Sequence, residues 1–194
     1  MSGLRSALIV GGLLTTIAAQ GERPSWPVSQ APAELKPAIS RAELVIVTLQ
    51  DAVLHQLNDE LARGGQARAV GVAHLDVSAV IQRVGRQEGI AAGMTSDRLR
   101  NPTNAPRPWA APLVNQHAGQ AARDVQGFVV DLGDKIGVLR PIAERPVCAG
   151  CHGPVLAPGV KPALQDRYPA DRAHGFTEGE IRGWFWVEVP RQRR

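Results

Sequence analysis

An α+β domain is predicted by three observations: a long stretch of helical periodicity, a glycine pair that interrupts it, and a C-terminal half where short apolar runs alternate with turn residues. From Ala33 to Arg63, Leu49, Val53, Leu57 and Leu61 recur every four residues, with Ile39, Ile46 and Leu54 widening the stripe to a core-facing helix. Gly64-Gly65 closes it, and a second helix is expected from Gln66 to Gln87 on Val70, Val77, Ile81 and Val84. After Gly89 the period changes. Ile90 to Arg98 reads as a strand, an irregular loop covers Asn101 to Pro106, and a short helix is expected from Trp109 to Arg123. Gln126 to Leu132 and Lys135 to Pro141 read as strands joined by a Gly133-Asp134 turn. A Pro- and Gly-rich loop then extends to Thr177. The last strand, Ile181 to Val189, sets Phe185, Val187 and Val189 on one face and Trp184, Trp186 and Glu188 on the other. The strands are expected to pair mostly antiparallel.

The ends of the chain read differently from this body. Residues 1–20 resemble a secretory signal: Arg5 gives the positive start, thirteen mostly apolar residues run from Ala7 to Ala19, and Ala18, Ala19 and Gly21 offer small residues for cleavage. A membrane-spanning helix needs about 20 apolar residues, so this run is short for one. An uncleaved anchor is the alternative, because no A-x-A triplet marks the cut. The expected location is outside the cytoplasm, in bacteria the periplasm, with no stable membrane insertion after cleavage. Residues 21–32, with Pro24, Pro27 and Pro32, read as an extended linker, 33–190 as the folded domain and 191–194 as a basic tail. Without Arg5 the balance is 21 basic against 18 acidic residues, or +3. That is too mild, and too dispersed, for a nucleic-acid footprint.

Cys148-Ala149-Gly150-Cys151-His152 carries the chemistry, and it contains both cysteines of the chain. C-x-x-C-H is the spacing at which two thiols add to the vinyl groups of a porphyrin and the following histidine ligates the iron. Other readings compete. A thioredoxin-like pair would follow a strand in a βαβ pattern, whereas Pro141 to Pro146 precedes this motif. A structural zinc site wants a second ligand pair, and His55, His74, His117 and His174 are scattered. A chance pentapeptide is the remaining possibility. An export signal favours covalent haem, since attachment follows export.

Three segments together resemble a family of exported haem c domains with a PAS-like fold. Gly93-Met94-Thr95-Ser96-Asp97-Arg98-Leu99-Arg100-Asn101-Pro102-Thr103-Asn104-Ala105-Pro106 is similar to its G-R-T-S-x-x-L-R-N-P-x-N-x-P signature. Leu139-Arg140-Pro141-Ile142 leads to Cys148 through Gly153, and Tyr168-Pro169-Ala170-Asp171-Arg172-Ala173-His174-Gly175 continues through Gly179 to Gly183. The likeness extends from about Leu44 to Val189. It implies a small antiparallel sheet wrapped by two N-terminal helices, with one haem lodged between sheet and helix. Members include free-standing cytochromes and sensory modules. The chain departs from the pattern at Val72-Ala73-His74, where a cysteine can serve the family as distal ligand, and at Met94, where an arginine is common.

His152 supplies one axial bond under this reading, and the other is open. His74 is the first candidate: it sits mid-helix beside Val72, Leu75 and Val77, and it matches the histidine of the family's Cys-His variant. Met94 is the second, and an open or water-ligated iron the third. His55, His117 and His174 are expected at the surface. Arg98 and Arg100 are candidates for pairing with haem propionates, Tyr168, Trp109 and Trp184 for packing on the porphyrin, and Asp171 for tying its own loop. The expected function is one-electron transfer between unidentified redox partner proteins. A haem-based redox or gas sensor is the rival, and no acid/base pair marks an enzyme.

Overall fold

The structure is a computed structural model that describes residues 23–88 and 90–191, with side chains for 23–70 and 90–191. Residues 1–20, read above as a signal, lie outside the described residues. No helix among the described residues is long and apolar enough to cross a membrane.

A five-stranded antiparallel sheet organises the domain. Its strands are β1 (Ser25–Pro27), β2 (Ala91–Thr95), β3 (Phe128–Asp131), β4 (Lys135–Ala143) and β5 (Ile181–Pro190), in the order β1-β3-β4-β5-β2. The central pair, β4 and β5, runs in register from Lys135 opposite Pro190 to Ile142 opposite Gly183, with an irregularity at Ala143. This is the α+β, PAS-like arrangement expected. The linker reading of 21–32 needs correction: Ser25–Pro27 pairs with β3, and Trp26 packs on the core. Edge position makes this possible, because Pro27 needs no ladder N–H there.

One long helical element, α1 (Lys36–Glu88), covers the sheet and breaks at Gly64 and Gly65. Gly65 has φ 68° and ψ −167°, a conformation open essentially to glycine alone, so the expected two helices are two arms about one hinge. Glu60 straddles that hinge, accepting from Arg63 Nη1 at 2.9 Å and Arg68 Nε at 2.8 Å. Ile39, Ala42, Val45, Ile46 and Leu49 of the first arm pack on Val129, Ile136, Val138, Phe185, Val187 and Val189. Alternation in β5 puts Trp184 on the opposite face, with Val114, Leu139 and Ile181.

Two other expectations change. The helix expected from Trp109 to Arg123 is only α2 (Ala111–Gln116), followed by a 3₁₀ turn at Ala122–Asp124. The loop expected up to Thr177 contains α4 (Val160–Arg167), which packs Val160 and Leu164 against Val70. Its Pro162 lies in the first turn, where a missing N–H costs nothing. Arg191, the first residue read as a basic tail, pairs with Asp131 at the end of β3, and residues 192–194 lie outside the described residues.

Candidate functional site

Beyond Leu49 the apolar stripe of α1 runs past the sheet. Val53, Leu57 and Leu61 are only partly buried and form one wall of a cavity of about 550 Å³. Ala69 and Val70 of the second arm continue that wall. Edge strand β2, the segment Ser96–Ala105 and Trp186 close the opposite side. Trp186 lies across Gly93, where a Cβ would stand 2.6 Å from the indole, so β2 gives up a side chain to admit the ring. The volume suits a cofactor-sized guest.

The floor is α3 (Pro146–His152), started by a proline in its first turn and carrying the whole motif. Cys148 is buried and Cys151 partly so, and both are free thiols facing the cavity. Burial pushes the Cys151 thiol up, with Arg100 opposing, so it stays protonated at neutral pH. A redox-active dithiol needs the opposite shift. Among the described residues no group of three or more His, Cys, Asp or Glu side chains gathers as a bare metal ion would require.

His152 is oriented rather than merely enclosed. Its Nδ1 lies 2.7 Å from the Ala173 carbonyl, which can only accept, so the ring proton sits on Nδ1 and Nε2 keeps its lone pair. Burial first, then the positive charges of Arg182 and Arg100, hold the imidazole well below its ordinary pKa. It is therefore neutral at pH 7. The carbonyl is itself fixed, because the loop is stitched to the end of α3 by Gly175 N–H to Gly153 O and Phe176 N–H to His152 O, each 3.0 Å.

The other residues singled out by sequence fall into groups. Met94 lines the cavity and also packs on the main core. His74 lies on α1, but its side chain is outside the described residues. Arg98 and Arg100 both border the cavity, yet their guanidinium groups already have partners. Arg98 pairs with Glu180 and stacks 3.6 Å over the Phe176 ring. Arg100 donates to Asp171 Oδ1 at 3.1 Å and to the Cys151 carbonyl at 2.6 Å. Asp171 does tie its loop, accepting from Ala173 N–H at 3.1 Å. Tyr168 lines the cavity, whereas Trp109 and Trp184 do not; Trp186, two residues on along the same face of β5, takes the place expected of them. His55 and His174 are exposed, but His117 is half-buried and stacks on Phe128 at 5.0 Å.

Sequence reasoning missed Arg182 and Glu144. Arg182 lines the cavity from β5, and its Nε lies 3.6 Å from Glu144 Oε2. Glu144 is 2 % exposed, with neither oxygen hydrogen-bonded among the described residues. Burial foremost, with Arg182 opposing, raises its pKa. A lone Glu before Arg145-Pro146 gives no local signal of this.

Comparison with known proteins agrees with this architecture. The Tll0287-like family model matches residues 30–190. A crystal structure of the cyanobacterial heme-protein Tll0287 superposes with a TM-score of 0.59, covering 84% of this chain and 99% of that one at 24% identity. No curated protein sequence gives a significant match.

Proposed function

The chain belongs to the Tll0287-like family, and we propose that it is an exported one-electron carrier holding a single covalent c-type haem. One observation carries the reading: a neutral imidazole whose Nδ1 is tied to the Ala173 carbonyl, directly after two free thiols in the floor of a cavity with one apolar wall. The donor set fits the group. Cys148 and Cys151 would each form a C–S bond to a vinyl carbon, the thiol hydrogen passing to the neighbouring carbon, and His152 Nε2 would ligate the iron. When bound, the haem supplies an Fe(III)/Fe(II) couple. The apolar wall of Val53, Leu57 and Leu61 would exclude water and keep reorganisation small.

His74 is the proposed sixth ligand. It follows Val70, a cavity-lining residue, by four positions on the same helix, a spacing that returns to one helix face. Two strong ligands leave the iron no free position, which suits electron transfer to a partner protein and not catalysis. Residues 1–20 would direct the chain to the periplasm.

Mass spectrometry of protein matured during export should show one added haem, lost in Cys148→Ala/Cys151→Ala. A colourless product from a competent maturation system overturns the proposal. Carbon monoxide should leave the ferrous spectrum unchanged; rapid adduct formation would instead favour a gas sensor, with Met94 or no side chain on the distal side. His74→Ala should turn a low-spin spectrum high-spin while the haem stays attached.

A further inference from the structure

The Ala173 carbonyl accepts two hydrogen bonds: from His152 Nδ1 at 2.7 Å and from Arg100 Nη2 at 3.3 Å. The same Nη2 donates to the Cys151 carbonyl at 2.6 Å, and Arg100 Nε donates to Asp171 Oδ1 at 3.1 Å. Asp171 Oδ1 also accepts from Ala173 N–H at 3.1 Å, closing a ring of contacts around the backbone of one residue. Asp171 Oδ2 is buried without a hydrogen-bond partner among the described residues. These groups lie far apart in sequence and meet only beside His152.

We propose that Arg100 is a positioning residue that sets the donor strength of His152 through their shared Ala173 carbonyl, and that Asp171 opposes it. The inference rests on the haem reading above. A carbonyl has two lone pairs, and a guanidinium on one of them withdraws density from the other. The hydrogen bond accepted from Nδ1–H is then weaker, the ring carries less imidazolate character, and Nε2 donates less to the iron. Weaker donation disfavours the ferric state. The fixed positive charge acts in the same sense, because the ferrous state has one positive charge fewer. Asp171 returns negative charge to the same network, so its removal acts in the opposite sense. Arg182 is a second cation near His152, but no described hydrogen bond joins it to the Ala173 carbonyl.

The test is a spectroelectrochemical titration of the matured protein beside Arg100→Met, Arg100→Lys and Asp171→Asn. Arg100→Met should shift the reduction equilibrium roughly tenfold toward ferric, a fall of about 59 mV for one electron. Arg100→Lys should fall less, since it keeps the charge, and Asp171→Asn should rise. A brace without electronic effect predicts that Arg100→Met and Asp171→Asn loosen the same loop and move the potential in one direction, or not at all. Either result overturns the proposal. If Arg100→Met does not mature, the opposite signs of Arg100→Lys and Asp171→Asn still decide it. Nitrogen NMR gives a second readout: in haem-free Cys148→Ala/Cys151→Ala protein, adding Asp171→Asn should weaken the His152 Nδ1–H hydrogen bond, and no change counts against the proposal. Colourless wild-type protein would overturn the haem reading itself; coloured variants with unmoved potentials overturn only the tuning.

Discussion

Leu49 and Leu57 stand about two turns apart on one stripe of α1, yet Leu49 is fully buried against the sheet while Leu57 is only partly covered at the cavity wall. Two buried glutamates show the same contrast. Glu188, within β5, accepts from Trp109 Nε1 at 2.9 Å and Arg107 Nε at 3.0 Å. Glu144, two residues before the C-x-x-C-H helix, has Arg182 at 3.6 Å and no hydrogen bond among the described residues. One half of the molecule, the core under the first arm of α1, completes its own packing, and Glu188 its pairing. The other leaves both incomplete around the C-x-x-C-H helix, as expected where a guest finishes the core and function overrides local satisfaction.

The sheet side should respond to truncation whatever the cavity holds. Leu49→Ala should cost about 2–5 kcal/mol, because no neighbour can collapse into a site enclosed by β-strand side chains. Urea denaturation should give the same loss in matured protein and in haem-free Cys148→Ala/Cys151→Ala. A loss confined to the matured form would mean that the two halves are not independent.

The hinge within the cavity wall comes next in size. Gly65→Ala should cost on the order of 1–3 kcal/mol, through backbone strain alone, since an added Cβ meets nothing within 4 Å. Glu60→Gln keeps the shape but removes the charge shared by Arg63 and Arg68. Its expected effect is smaller: faster amide exchange around the break, with the sheet unaffected. Slower exchange there would show that Glu60 strains the hinge rather than bracing it.

Leu57→Ala sharpens the comparison most directly. In haem-free protein it should cost under about 1 kcal/mol, because the side chain is already partly in contact with solvent. In matured protein the loss should approach about 2 kcal/mol, because removing a covered isopropyl group leaves a cavity. Equal losses in the two forms would show that protein side chains, and not a porphyrin, cover this stretch.

Periodicity made most of the architecture legible, since an apolar stripe or a strict alternation is written in neighbouring residues. Phe185, Val187 and Val189 do share one face of β5, with Trp184 and Trp186 on the other. Punctuation misled where proline and glycine sit at permitted positions: Pro27 hid β1, and Gly159 with Pro162 hid α4. The motif helix was legible because its chemistry is local. Its surroundings were not: Arg100 reaches Asp171 across 71 positions and the Cys151 carbonyl across 51, and no spacing rule links such pairs. Alternation assigned Trp184 and Trp186 to one face without saying which stretch of it the cavity adjoins, so Trp109 and Trp184 stood as candidates for a place that Trp186 holds.

The smallest effects come from the paired glutamates, and they have opposite signs. Glu188 is penalised by burial, but hydrogen bonds from Trp109 and Arg107 outweigh this and lower its pKa below the ordinary 4.5. Its contribution to stability is full above pH 4.5 and is lost as the pH falls through the lowered folded value. Burial raises the pKa of Glu144 above 4.5. Its contribution is full below pH 4.5 and is lost as the pH rises through the raised value, so ionising this carboxylate destabilises the fold. Glu188→Gln should therefore lower the denaturation midpoint at pH 7, and Glu144→Gln should raise it. Both differences should shrink in acid, the Glu144 gain as the pH falls through the raised folded value to 4.5, and the Glu188 loss only below pH 4.5. A fall in both midpoints at pH 7 would mean that Arg182 holds Glu144 as firmly as Arg107 holds Glu188, and the electrostatic half of the contrast would disappear.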